Sequence, residues 1–186
     1  RVRLALCDHR LSEELEETKA RSAELETIVY WGGGGPGSLE ALMAGKSGDF
    51  ENLDTAADDV ALIAFTSGTT GQPKGVAVAH GPLAMHCRAV CERFGMRATD
   101  CELHFYSINF DAATERLLVP LLSGAQLVLR AQGQWDPQEI CALIRRHGVS
   151  VLGFTPSYGS QLAQWLKARG EKLPIRLCIT GGEALT

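Results

Sequence analysis

The chain has 186 residues, of which 45% are apolar and 22% charged, and a net charge of −4. That length suffices for a sizeable core, as one domain or a piece of a larger one. The acidic balance argues against non-specific nucleic-acid binding, which needs a basic face, and no stretch nears the ~18 apolar residues of a membrane span.

The amino-terminal run RVRLALCDHRLSEELEE is too briefly apolar for a signal peptide. The six cysteines are therefore expected to be reduced thiols in a cytoplasmic protein. Residues 4–7, LALC, predict a short buried strand. SEELEETKARSAELE (12–26) predicts a charge-rich helix, with Leu11, Leu15 and Leu25 as a thin apolar stripe. TIVYW (27–31) predicts a strand that stops at GGGGPGS, which no regular element tolerates. A polar stretch over 45–59 leads into VALIAFT (60–66), a continuous apolar run expected to form a strand buried on both faces. GVAVAH (75–80) is a second β-prone segment, followed by a helix over 82–94.

Farther along, HFYSINF (104–110) suits a strand and DAATERLLVPLLSG a helix, with Asp111 as cap, Gly124 as stop and Pro120 as a kink. AQLVLR predicts a strand. DPQEICALIRRHG is punctuated as a helix by Asp136 at the N-cap, Pro137, Glu139 and Gly148. VSVLGF, SYGSQLAQWLKARG and IRLCIT follow as strand, helix and strand. This alternation predicts an α/β fold of largely parallel sheets with flanking helices. Cys87, Cys91, Cys101 and His104 form a conceivable zinc set, but their spacing matches no common finger, and core packing is the expectation. His80, His86 and His147 are expected to be structural or exposed.

TSGTTGQPKGV (66–76) carries the chemistry. A Walker A loop has lysine directly after its second glycine and then a helix. Here Lys74 follows Pro73 and a β-prone segment comes next. Thr66, Ser67, Thr69 and Thr70 nevertheless bring hydroxyls, Gly68, Gly71 and Gly75 allow close backbone approach to an anion, and Lys74 adds a mobile charge. Composition leaves two readings open, a phosphate-binding loop and a plain strand-joining turn.

With its preceding apolar strand, this loop resembles the signature of the adenylate-forming, AMP-binding superfamily. That group includes acyl- and aryl-CoA synthetases, luciferases and the adenylation domains of nonribosomal peptide synthetases. NFDAATERLLVPLLSGAQLVL, VSVLGFTPSY and ITGGEALT resemble, in order and spacing, the segments that build the amino-acid pocket of the peptide-synthetase branch. Residues 1–70 look more like the aryl-CoA ligase branch. The resemblance implies a partial N-terminal domain that activates an amino-acid carboxylate with ATP and Mg²⁺. Its acyl group would pass to the phosphopantetheine thiol of a carrier protein.

The resemblance further implies that Thr66, Ser67, Gly68, Thr69, Thr70, Gly71 and Lys74 contact phosphate, with Lys74 catalytic. It puts Phe110, Asp111, Ala112, Glu115, Gly153, Ile179 and Gly181 around the substrate. On sequence alone Phe110 reads as core and Asp111 as a helix cap, whereas the family match makes Asp111 the partner of the α-ammonium group. Glu115 lies one turn beyond Asp111, so a basic amino acid is the expected substrate; the alternative has Glu115 solvated or paired with Arg116. The family's later nucleotide motif and its C-terminal lysine domain have no counterpart in these residues. The chain is thus expected to be inactive alone, with an aryl- or acyl-CoA ligase fragment and a non-catalytic nucleotide-binding module as the other readings.

Overall fold

The computed structural model describes residues 3–49, 51–66, 74–108, 110–130 and 136–184. The chain divides into two units, Arg1–Leu53 and Asp54–Thr186.

In the first unit, β1 (Leu4–Asp8) and β2 (Thr27–Trp31) pair in parallel from Leu4↔Thr27 to Asp8↔Trp31. The connection runs through a 3₁₀ turn (His9–Leu11) and α1 (Ser12–Arg21). Asp8 Oδ1 starts the turn by accepting from the amide of Arg10 at 3.0 Å. The sequence predicts a buried β1, but Leu4 and Leu6 are exposed and only Cys7 is enclosed; two strands alone cover little of their own faces. α1 stops at Arg21, short of the predicted 26, because Ser22 turns extended. Leu25 is then buried outside the helix. A helix the sequence did not reveal, α2 (Leu39–Met43), is started by Ser38, whose Oγ accepts from the Ala41 amide. Five residues are too few to show a helical period.

The second unit opens with β3 (Val60–Thr66) and β4 (Lys74–Ala79), antiparallel from Val60↔Ala79 to Thr66↔Lys74. The expectation that β3 is buried on both faces is corrected: Ile63 is exposed and Phe65 is 69% exposed. Its apolar run belongs to a two-stranded ribbon and not to the centre of a parallel sheet. α3 (His80–Phe94) follows and ends at Gly95, whose positive φ closes the helix.

The main sheet contains β5 (Cys101–His104), β6 (Gln126–Leu129), β7 (Val151–Phe154) and β8 (Leu177–Thr180). Their order is β6-β5-β7-β8 and every pairing is parallel. The connecting helices are α4 (Asp111–Leu122), α5 (Pro137–His147) and α6 (Pro156–Arg169). Leu103, Ile140, Ile144, Val149, Leu152 and Leu162 form the core between sheet and helices. α5 is built as its punctuation predicts: Asp136 Oδ1 accepts from the Glu139 amide at 2.8 Å, and Gly148 ends the helix at φ +64°.

Two expectations here are corrected. The strand predicted over 104–110 lies at Cys101–His104. It is buried throughout and carries Glu102 and His104 inward, so its polarity hid it from an apolar-run search. Asp111 is not the N-cap of α4: Phe110 holds that position, and Asp111 Oδ1 accepts from the adjacent amide of Ala112.

The cysteines considered for zinc pack into the protein. Cys87 and Cys101 are buried, and burial pushes both thiols up. Cys91 Sγ donates to the Val119 carbonyl, and His104 Nε2 to that of Ala113. At the amino ends of the strands, Asp100 accepts from the Arg97 amide, the Ser150 hydroxyl and the Arg176 guanidinium. One buried carboxylate thereby ties the approaches to β5, β7 and β8.

Candidate active site

A parallel sheet leaves the carboxyl ends of its strands as the place where loops and helix N-termini converge. A cavity of about 710 Å³ lies there. Phe105, Tyr106 and Ser107 after β5, Arg130 after β6, Thr155 after β7 and Ile179–Glu183 at the end of β8 surround it, with the first turn of α4 as a further wall. A second cavity, of about 690 Å³, runs from β3 to α4 and is lined by Phe65, Thr66, Ile108, Phe110, Asp111 and Thr114. A third, of about 350 Å³, has Leu62, Val78 and His86 on one side and Asp111 and Glu115 on the other. Asp111 borders all three. It stands where the partial positive charge of the α4 N-terminus favours an anion.

Charge in this region is arranged as a chain. His86 Nε2 donates to Glu115 Oε2 at 2.5 Å, and Arg116 Nη2 donates to Glu115 Oε1 at 3.0 Å. Arg116, only 2% exposed, also reaches Glu102 Oε1 at 3.3 Å, and its guanidinium lies over the Phe94 ring. Among the described residues Glu102 Oε2 and Arg116 Nε find no partner. Burial raises the Glu102 carboxyl to about 7, and the Arg116 charge offsets this only in part. Glu183 accepts from the Ser157 amide and hydroxyl in the first turn of α6. Asp111 and Arg130 have no ion-pair partner among the described residues, and the Arg130 guanidinium lies over the Phe105 ring, 5.2 Å from its centroid.

The residues singled out in the sequence fall into four groups. Phe110, Asp111, Ala112, Glu115, Ile179 and Gly181 line the large cavity together. Phe110 is 64% exposed, which corrects its reading as core. Thr66 borders the cavity that reaches Asp111, and Lys74 is its cross-strand partner. Ser67, Gly68, Thr69, Thr70 and Gly71 lie outside the described residues. Gly153, in β7, is not among the residues lining the large cavity. A Cβ there would stand 3.1 Å from Tyr106 Cε2 and 3.4 Å from Arg116 Cδ, so the missing methyl makes room for those two side chains.

Sequence reasoning did not find Tyr106, Arg130, Thr155 or Glu183 at this site. Each follows or ends a strand, and only knowing the strand order brings those termini together. His86, expected to be structural or exposed, is exposed and also bonds a cavity carboxylate.

The sequence pattern of AMP-binding enzymes matches residues 1–186. The PKS-NRPS hybrid synthetase ATPKS of Aspergillus niger is 31% identical over 98% of this chain, and tyrocidine synthase 3 of Brevibacillus parabrevis 32% identical over 79% of it. The chain spans 10% and 2% of those two proteins. The ATP-bound crystal structure of MatB from Rhodopseudomonas palustris superposes with a TM-score of 0.79 at 26% identity, covering 98% of this chain and 36% of that one.

Proposed function

The chain belongs to the AMP-binding enzyme family, and from that premise we propose that it takes part in ATP-dependent activation of an amino acid. In this reaction a carboxylate oxygen attacks the α-phosphorus of ATP, an acyl–phosphate bond forms, and pyrophosphate leaves. A carrier protein's phosphopantetheine thiol then takes the acyl group and AMP departs. The observation that carries the reading is the cavity with Thr66, the cross-strand partner of Lys74, at one wall and Asp111 at another. Lys74 neutralises the departing pyrophosphate and Asp111 holds the α-ammonium group, so catalysis is positioning and charge stabilisation. Mg²⁺ enters as a counter-ion of the triphosphate, held mainly by phosphate oxygens.

The proposed substrate is a basic amino acid, its side-chain cation directed to Glu115. That carboxylate already carries Arg116 and His86. An incoming ammonium group takes the place of His86, the exposed partner, and leaves the buried Arg116 pair intact. A second reading, ligation of an aryl or acyl acid to coenzyme A, is favoured by the aromatic side chains of Phe105, Tyr106 and Phe110 around the large cavity.

Amino-acid-dependent exchange of pyrophosphate into ATP, measured on the product of the full reading frame with a panel of amino and aryl acids, tests both readings. Lys74→Ala should slow exchange at least tenfold or so, the scale of one lost charged contact. Asp111→Asn should raise KM for amino acids and spare aryl acids. Glu115→Gln should raise KM for lysine or ornithine by about 10- to 100-fold. Unchanged activation of those two substrates removes the basic side chain from the proposal, and exchange with aryl acids alone replaces the first reading with the second.

A further inference from the structure

We propose that Arg130 is an oxyanion-recognition residue of the large cavity, taking a carboxylate or phosphate carried by the molecule that enters. Most charges around the cavity are already matched. Glu115 receives His86 and Arg116, Arg116 bridges Glu115 and Glu102, and Glu183 is held by the amide and hydroxyl of Ser157. Two charges on the cavity wall are left over among the described residues: Asp111, whose Oδ1 accepts the Ala112 amide, and Arg130, which has no carboxylate partner.

Arg130 is not simply a solvated surface charge. It is half-buried, and it follows directly on β6, so the sheet fixes its root. Its guanidinium carbon stands 5.2 Å from the centroid of the Phe105 ring, and that ring packs on Tyr158 at 4.6 Å. Stacking on an aromatic face orients a guanidinium without consuming its in-plane N–H donors. A planar donor fork, held in place and unpaired in a partly apolar wall, suits a bidentate oxyanion. Taking one also offsets the desolvation of a half-buried cation.

Two sources carry this chemistry: a second carboxylate on the acid being activated, and the phosphate of a pantetheine acceptor. The role of Arg130 rests on the cavity's charges: the acceptor phosphate fits either class of acid proposed above, whereas a second carboxylate would put an acidic substrate in place of the basic one. Direct binding therefore tests it without needing turnover. On the full-length protein, isothermal titration compares glutamate with glutamine and 4′-phosphopantetheine with pantetheine, pairs that differ in an anionic group. In at least one pair the anionic member should bind more tightly. Arg130→Met should weaken that member by about 10- to 100-fold and leave the neutral member unchanged. Arg130→Lys, which keeps the charge but loses the fork, should fall between and serves as the test if the methionine variant fails to fold. A loss confined to glutamate assigns the site to the substrate, and one confined to phosphopantetheine assigns it to the acceptor. Equal binding within both pairs, or an anion preference that survives the loss of Arg130, overturns the proposal.

Discussion

Replacing Arg176 with methionine tests how the main sheet is held at the end remote from the cavity. Asp100 is 3% exposed and is met by Arg176 Nε at 2.7 Å and by Arg176 Nη2. The Arg97 amide and the Ser150 hydroxyl, each at 2.9 Å, complete its shell. The Arg176 hydrogen bonds, working against burial, hold the Asp100 carboxyl at about 2, below its ordinary 3.8. Because the folded value is depressed, this group stabilises the protein above about pH 4, and the contribution is lost as pH falls toward 2 and below. A depression of that size is worth roughly 2–3 kcal/mol. Leaving the buried carboxylate without its cation costs on the order of 3–5 kcal/mol. The lower end applies here, since Arg176 is 30% exposed and water can reach the vacated space. Urea unfolding followed by circular dichroism at a series of pH values should therefore show Arg176→Met destabilised by about 2–4 kcal/mol at pH 7. The gap should narrow as pH drops from 4 toward 2. A gap under about 0.5 kcal/mol, or one of constant size across that range, would refute the reasoning.

Two further substitutions probe packing. Ile140→Ala empties a fully enclosed core position and should cost about 2–5 kcal/mol in the same unfolding experiment. Gly153→Ala places a methyl group against Tyr106 and Arg116 and should lower stability by roughly 1–3 kcal/mol. Pairing it with Tyr106→Ala should recover part of that loss, which a double-mutant cycle would read directly.

Much of the fold was legible because it is written in local chemistry. Asp136, Pro137 and Gly148 delimit α5 by capping, fixed φ and a left-handed stop, all of which act within a few residues. TIVYW and VALIAFT matched β2 and β3 to the residue. β5 was misplaced because Glu102 and His104 are inward-facing polar groups whose partners, Arg116 and the Ala113 carbonyl, come from α4. A sequence window has no means of knowing that such partners exist.

At the site the same division holds. Asp111, Glu115 and the glycine-hydroxyl loop were singled out by their resemblance to a family, while local geometry adds that helical spacing sets Asp111 and Glu115 on one face and that antiparallel pairing puts Thr66 opposite Lys74. Which neighbours those side chains meet was decided by the strand order β6-β5-β7-β8 and by α3 lying against α4. That arrangement turns Glu115 toward His86, lets Arg116 fill the space beside Gly153, and leaves Arg130 and Asp111 without an ion pair among the described residues of the cavity wall. Hydrogen-bonded turns and caps such as those of α5 are short-range and can be read locally, whereas charge pairing and burial are set by groups far apart in the chain, so only the assembled sheet and helices determine them.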